Sequence, residues 1–349
     1  MDKTKTSCSD NQSPLVSVII PSYNAEQFIG QAIESVMAQT YPSYEMIVVD
    51  DGSTDKTKEI LKEFDGQIRC VHQENRGPSA ARNAGIEIAQ GTYICFLDAD
   101  DLWTPDKLEA QVEFLERHPD IALVFSDHQD FKSGNVDPRS YLDAKKETFG
   151  EVLVTEKPLQ EAFLKLIQEN FISTPTVMVR KRCLEKTGLF DENLWSVEDR
   201  DLWLRMAAHF QLACLPRIFC QRRVHQSNIS RQSELTLHGR TNVLEKNRRA
   251  FPLLVPSEIW DGELANHYCQ LGYLLLQKGE QKRALQAGIT SVAYALRQVT
   301  KSRTLSAYPW SLGLGLIPAS LLGWQFSRFL FQPIKGLSRR NRSDVSTKI

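Results

Sequence analysis

Three carboxylates, Asp98, Asp100 and Asp101, close the apolar run "TYICFL" (92–97) in "FLDADD". Like charges at this spacing raise one another's pKa unless a cation sits among them, so the cluster is either a solvated turn or the holder of a metal. Three more polar clusters precede it: "IIPSYN" (19–24), "VVDDGSTD" (48–55) and "HQENRGPSAARNAG" (72–85). Each has a plain reading as a turn; Ser53 or Thr54, for example, suits the cap of a helix over "DKTKEILKEF" (55–64). Together they are chemically complementary. Tyr23 offers an aromatic face for a nucleobase, Asp51 an acceptor for a base N–H, and Arg82 a fixed positive charge for phosphate. Asp98 and Asp100, two apart, can aim carboxylates at a sugar hydroxyl and at a hard divalent cation, Mn2+ or Mg2+, that bridges diphosphate oxygens. A second acidic cluster lies in "WSVEDRDLWLRM" (195–206). Its plain reading is a set of acids favoured by the dipole at a helix start, with Leu202, Trp203 and Met206 packing inward.

The elements that must position these groups show in the apolar periodicity. "VSVII" (16–20), "EMIVVD" (45–50), "IRCVH" (68–72), "TYICFL" (92–97) and "IALVFS" (121–126) read as strands. Between them Phe28, Ile29, Ala32, Ile33, Val36 and Met37 repeat at helical spacing, as do Leu108, Val112 and Leu115 after Pro105. Strands that alternate with helices and are apolar on both faces imply an α/β fold, a doubly wound, mainly parallel sheet with helices on two sides. Ligands of such sheets bind beyond the carboxyl ends of the strands, which is where all four polar clusters fall.

Composition narrows the class. The 349 residues carry a net charge of −1, with 24% charged and 42% hydrophobic residues, so the chain reads as globular, longer than one typical domain, and without a charge bias toward nucleic acid. Seven cysteines without a CxxC pair suggest neither a disulfide framework nor a zinc knuckle. A reducing cytoplasm is the expected compartment, and the polar tail 1–13 has no secretory h-region.

The segments "VSVIIPSYNAEQFIGQAIESVMAQTYPSYEMIVVDDGSTD", "NRGPSAARNAGIEIAQGTYICFLDADDLWTPDKL" and "TGLFDENLWSVEDRDLWLRM" occur in that order. In them the chain resembles the family 2 glycosyltransferases of the GT-A fold, over about residues 14–230. The resemblance implies that Pro21, Tyr23 and Asp51 hold the nucleoside, that Arg82 lies near the nucleotide, that Asp98 contacts the ribose or donor sugar, and that Asp100 ligates the metal. Asp101 is left to shape the turn. Glu26, one helical turn from Ser22, is placed near the nucleotide, against its plain reading as a first-turn helix carboxylate. The Asp of the "ED" pair, Asp199, is implied as general base in a single inverting displacement, with Glu198 contacting the acceptor. His225 in "RRVHQSNIS" is more often a packed or solvated residue by type, but related enzymes place a histidine there that completes the metal site or touches diphosphate. Arg222 and Arg223 either help with phosphate or form a solvated face. The implied partners are a nucleotide-diphosphate sugar, with uridine the favoured base, and a glycan or lipid-linked acceptor.

Beyond the catalytic region, 14–235, the stretch 236–303 reads as an accessory region with a tetratricopeptide-like helix pair joined at "KGEQ". The segment 304–331 is apolar and precedes a basic tail, 332–349. Its uncharged part, 304–327, fits interfacial or re-entrant membrane contact, a span, or packing against protein, so a peripheral place on the cytoplasmic membrane face is a further expectation. Four other classes compete. A receiver domain would want a phosphoacceptor Asp with a later Thr and Lys; a dehalogenase-type phosphatase carries its DxD on the first core strand. A sugar nucleotidyltransferase wants a Gly-rich basic loop where "PSYNAEQ" stands, and a non-catalytic sugar-nucleotide sensor would not need Asp199.

Overall fold

The computed structural model describes residues 13–132, 134–149, 156–225 and 233–302. The first half alternates as its periodicity requires: β1 (Val16–Ser22), α1 (Ile29–Met37), β2 (Tyr44–Asp50), α2 (Thr57–Lys62), β3 (Arg69–His72), α3 (Gly77–Ile88) and β4 (Tyr93–Phe96). Then come β5 (Leu102–Trp103), α4 (Lys107–Arg117), the long β6 (Ile121–Lys132), β7 (Asn135–Val136), α5 (Tyr141–Phe149) and α6 (Ala162–Gln168). After a 3-10 turn at Thr174–Thr176 follow β8 (Met178–Arg180), α7 (Lys181–Thr187), α8 (Glu198–His209) and β9 (Gln211–Arg223). Three long helices complete the described chain, α9 (Ser233–Ala250), α10 (Ser257–Gln277) and α11 (Gln281–Ser302).

The strands form one sheet in the order β3-β2-β1-β4-β8-β6-β9-β5, with β7 paired to β6. The half from β3 to β4 is parallel, as the crossover helices demand. The other half is mixed: β8 runs antiparallel to both β4 and β6, while β6 and β9 are parallel. β1 lies between β2 and β4, so the chain moves outward to β3 and then returns across β1. That reversal opens a crevice at the carboxyl ends of β1, β2 and β4.

Strand alternation splits the core in two. Val16, Val18, Ile20, Met46 and Val48 pack with α1 and α4 on one face, while Ile19, Ile47, Val49, Ile94 and Phe96 pack on the other with α3, α6 and α8. α3 sits so close to β1 that a Cβ on Gly85 would lie 2.5 Å from Cγ2 of Ile19. This approach fixes the helix that carries Arg82.

The loops after β1 and β2 are tied to each other. The Ser53 hydroxyl accepts the Asn24 N–H at 2.9 Å, and Asn24 Oδ1 accepts the Thr54 N–H at 2.8 Å. Neither Ser53 nor Thr54 caps α2, contrary to their local pattern: the cap position is Lys56 and has no side-chain cap bond. The two hydroxyls have been taken up by the neighbouring strand's loop instead.

The two helices joined at "KGEQ" are present as the antiparallel α10 and α11, whose turn uses Gly279 at φ 82. They are not a separate body, because Val243 and Leu244 of α9 and Trp260 and Leu264 of α10 belong to the same core cluster as Ile19 and Phe96. A division at 235/236 therefore falls inside α9. Among the described residues no helix is long and apolar enough to cross a membrane. The segments 304–331 and 332–349, and all of the N-terminal tail but its last residue, lie outside the described residues.

Candidate active site

A cavity of about 710 Å³ opens above the strand ends. Its wall includes Pro21 and Tyr23 from the end of β1, Asp51 after β2, Arg82 from α3, Asp98 and Asp100 after β4, Glu198 and Asp199 from α8, and His225 after β9. Nine residues that the sequence placed at a site therefore converge on one space. Glu26 does not join them. Its carboxylate accepts the Lys56 N–H at 3.0 Å and its own N–H donates to Asp55, so it faces the start of α2, where the helix dipole favours an acid.

At the β1–β2 end Tyr23 is half exposed, leaving a ring face open to the cleft. Asp51 is buried, and it accepts the N–H groups of Arg76 at 2.9 Å and Gly77 at 2.8 Å, together with the Gln73 amide at 2.7 Å. It thereby fixes the loop that leads into α3.

Arg82 is the centre of the cleft floor. One guanidinium nitrogen donates to Asp98 Oδ1 at 2.8 Å and the other to Glu198 Oε1 at 2.7 Å, while the Phe190 ring lies 5.4 Å from it. Burial opposes the charge of Arg82, but the two carboxylates outweigh it and hold the group above the ordinary arginine value. The sequence suggested a cation waiting for phosphate; the structure shows one that clamps two acids from distant parts of the chain.

The three acids of "DADD" divide their tasks. Asp101 is buried and accepts the Arg223 N–H at 2.8 Å, stitching the turn to β9; burial, then the charges of Asp100 and Asp98, push its carboxyl well up. Asp98 takes Arg82. Asp100 meets Nε2 of His225 at 2.7 Å, and that imidazole stacks on Phe28 at 5.0 Å. Burial and the Asp98 charge raise the Asp100 carboxyl, against the pull of His225. Among the described residues no group of three His, Cys, Asp or Glu side chains is arranged to hold a metal. Asp100 and His225 do supply an oxygen and an imidazole at one point. Arg222 is paired with both oxygens of Asp130, each at 2.8 Å, and Arg223 donates to the Asp100 carbonyl, so the pair is not a solvated face.

α8 starts at Glu198, immediately after Val197, a β-branched residue held at φ 65. Its three first-turn acids are also divided. Glu198 pairs with Arg82, and Asp201 is fully buried beneath Arg205, Lys246 and Asn247. Asp199 is left facing the cleft, its Oδ2 accepting the Asn170 amide at 2.9 Å and the Thr174 hydroxyl at 3.5 Å. Burial, reinforced by the Glu198 charge, raises the Asp199 carboxyl to about 6. A carboxylate in that range is ionised at neutral pH yet basic enough to accept a proton.

Residue patterns missed Asn170, Thr174 and Trp195. Trp195 lines the cleft and is half exposed, the one hint being its place beside the "ED" pair.

Comparison with known proteins follows the same lines. The profile described as Glycosyl transferase family 2 matches residues 17–187. An uncharacterized glycosyltransferase of Rickettsia felis is 40% identical over 195 residues, 55% of this chain and 30% of that protein. The match thus covers less than a third of that relative's length. The crystal structure of S. aureus TarS 1-349 in complex with UDP-GlcNAc superposes with a TM-score of 0.65 at 20% identity, over 89% of this chain and 91% of that one. The mannosyltransferase PcManGT from Pyrobaculum calidifontis, in complex with GDP-Man and Mn2+, does so with a TM-score of 0.55 at 20% identity, over 95% and 89%. Both share the fold, a GT-A arrangement with a helical C-terminal region. With the sheet that carries the strand-end motifs reproduced, residues 17–187 match glycosyl transferase family 2, and the chain is similar to proteins described as glycosyltransferases.

Proposed function

We propose that the protein is an inverting glycosyltransferase that moves a sugar from a nucleotide-diphosphate donor, with UDP the favoured carrier, to a hydroxyl of a glycan or lipid-linked acceptor. The observation that carries this reading is a single cleft whose wall holds both Asp199, a carboxylate raised to about 6, and the Asp98–Asp100–His225 cluster. Such an arrangement separates a base from a diphosphate end. TarS binding UDP-GlcNAc and PcManGT binding GDP-Man support a sugar nucleotide as the donor.

Asp199 takes the proton of the acceptor hydroxyl while that oxygen forms its bond to the anomeric carbon. The bond from that carbon to the diphosphate oxygen breaks on the opposite side, and its electron pair leaves with the diphosphate. One displacement inverts the centre. Asn170 and Thr174 hold the Asp199 carboxylate in place, and Arg82 fixes Glu198 beside it, where it can contact the acceptor. Tyr23, Pro21 and Asp51 form the nucleoside end, and Asp98 faces the ribose or the donor sugar.

Asp100 and His225, an oxygen and an imidazole at one point, are the residues that would hold a divalent ion, Mn2+ or Mg2+. Bound there, the ion would supply positive charge to the leaving diphosphate. PcManGT was solved with Mn2+. The apolar segment 304–331 would place the enzyme peripherally on the cytoplasmic face of a membrane if the acceptor is lipid-linked.

Thermal unfolding with UDP, GDP and TDP, each with Mn2+ and with chelator, tests the donor site. Stabilisation by one diphosphate that needs the ion is expected. No stabilisation under any condition would overturn the donor site, and a product that keeps the donor's anomeric configuration would overturn the single displacement.

A further inference from the structure

α8 and α9 both lie beyond the stretch matched by the family profile, and α9 grips the acidic turn of α8 on either side of Asp199 in sequence. Val197 stands directly before Glu198 at φ 65, ψ 17, the left-handed region. A β-branched residue is strained there and remains so only where its surroundings hold it. α9 is that surrounding: a Cβ on Gly239 would lie 2.7 Å from the Ser196 carbonyl oxygen and 3.1 Å from Cγ2 of Val197. One turn earlier on α9, the Thr236 hydroxyl meets the Ser196 hydroxyl at 3.4 Å. Two turns after Gly239, Lys246 and Asn247 hold the two oxygens of Asp201, each at 2.9 Å. In sequence, Asp199 lies between these two grips.

We infer that α9 is the clamp that aims the Asp199 carboxylate, with Gly239 as the positioning residue that lets the helix press on the Ser196–Val197 turn. The inference rests on the reading of Asp199 as the base. Gly239 is not among the residues that line the cleft; it acts through the backbone of 196–197. Any side chain there must push the turn away from α9, since real Cβ atoms do not approach a carbonyl oxygen to 2.7 Å. The push would rotate Glu198 from Arg82 and Asp199 from Asn170.

Gly239→Ala in the full chain tests it, beside Gly262→Ala, where the new Cβ would meet only the far end of the Gln298 side chain. For Gly239→Ala, kcat should fall by at least about 10-fold with the donor KM within about twofold, as when an interaction made only in the transition state is removed. Gly262→Ala should behave as wild type. NMR titration of the Asp199 carboxyl, with no donor present, should read near 6 in the wild type and move up by about half a pH unit or more in Gly239→Ala as the Asn170 contact weakens. If Gly239→Ala does not fold, Asn247→Ala opens the other grip without adding an atom and carries the same kinetic and titration predictions. A wild type that titrates near 6 but transfers no sugar overturns the enzyme reading and leaves the clamp standing. A folded Gly239→Ala with unchanged kcat and an unmoved Asp199 titration overturns the clamp, as does a loss in which kcat and donor binding fall together.

Discussion

The two acidic clusters, Asp98-Ala99-Asp100-Asp101 and Glu198-Asp199-Arg200-Asp201, solve the same electrostatic problem with the same division of labour. In each, one acid is buried as an anchor: Asp101 on the Arg223 amide, Asp201 under Arg205, Lys246 and Asn247. In each, a second acid is held by Arg82, which bridges Asp98 and Glu198. The third acid is left at the cleft with a raised pKa. The clusters part there, because Asp100 faces an imidazole whereas Asp199 faces the neutral amide of Asn170 and the hydroxyl of Thr174. A carboxylate paired with a metal-ligating group is suited to a cation, and one with neutral donors is suited to a proton. On the proposed reading, surroundings rather than residue type would assign the two chemistries.

The comparison can be broken in stages. Asp199→Asn should lower kcat by about 10²–10⁴-fold, the usual worth of a positioned base, while leaving nucleotide binding intact in a thermal-shift assay. Arg82→Ala strikes both clusters at once: Asp98 and Glu198 lose their shared partner, and unfolding in urea should show a loss of about 3–5 kcal/mol, since the guanidinium side chain is only 6% exposed. The pH profile comes next. On the proposal that Asp199 is the base and works deprotonated, kcat/KM should be flat above its pKa and fall about tenfold per pH unit below about 6. The smallest effect is Asn170→Ala, which removes a donor to the charged form; the acid limb of that profile should shift upward, by less than about one pH unit.

The parallel half of the sheet was legible in the sequence because β1, β2, β3 and β4 each announce themselves by an apolar run and a turn. So was the convergence of Tyr23, Asp51, Asp98 and Asp100 on one cleft, since they stand at strand ends and position follows from topology. β8 was not legible: Met178–Arg180 is three residues long, and its place between β4 and β6 depends on pairing across more than fifty residues. Asn170 and Thr174 were hidden for the same reason, lying in a segment without periodicity that reaches Asp199 only in the folded chain. Arg82 was found, but its two carboxylate partners were not legible, because they lie 16 and 116 residues away. Glu26 was misplaced because spacing from Ser22 ignored the exposed start of α2 at Lys56, which takes its carboxylate.

The division between a cation site and a base is most directly tested by calorimetric titration of UDP with Mn2+ into the wild type, Asp100→Ala and Asp199→Asn. Equal binding by wild type and Asp199→Asn, with binding by Asp100→Ala reduced to what chelator leaves in the wild type, is the expected result. Binding lost equally in both variants, or unaffected by Asp100→Ala, would contradict it and merge the two clusters into one undivided site.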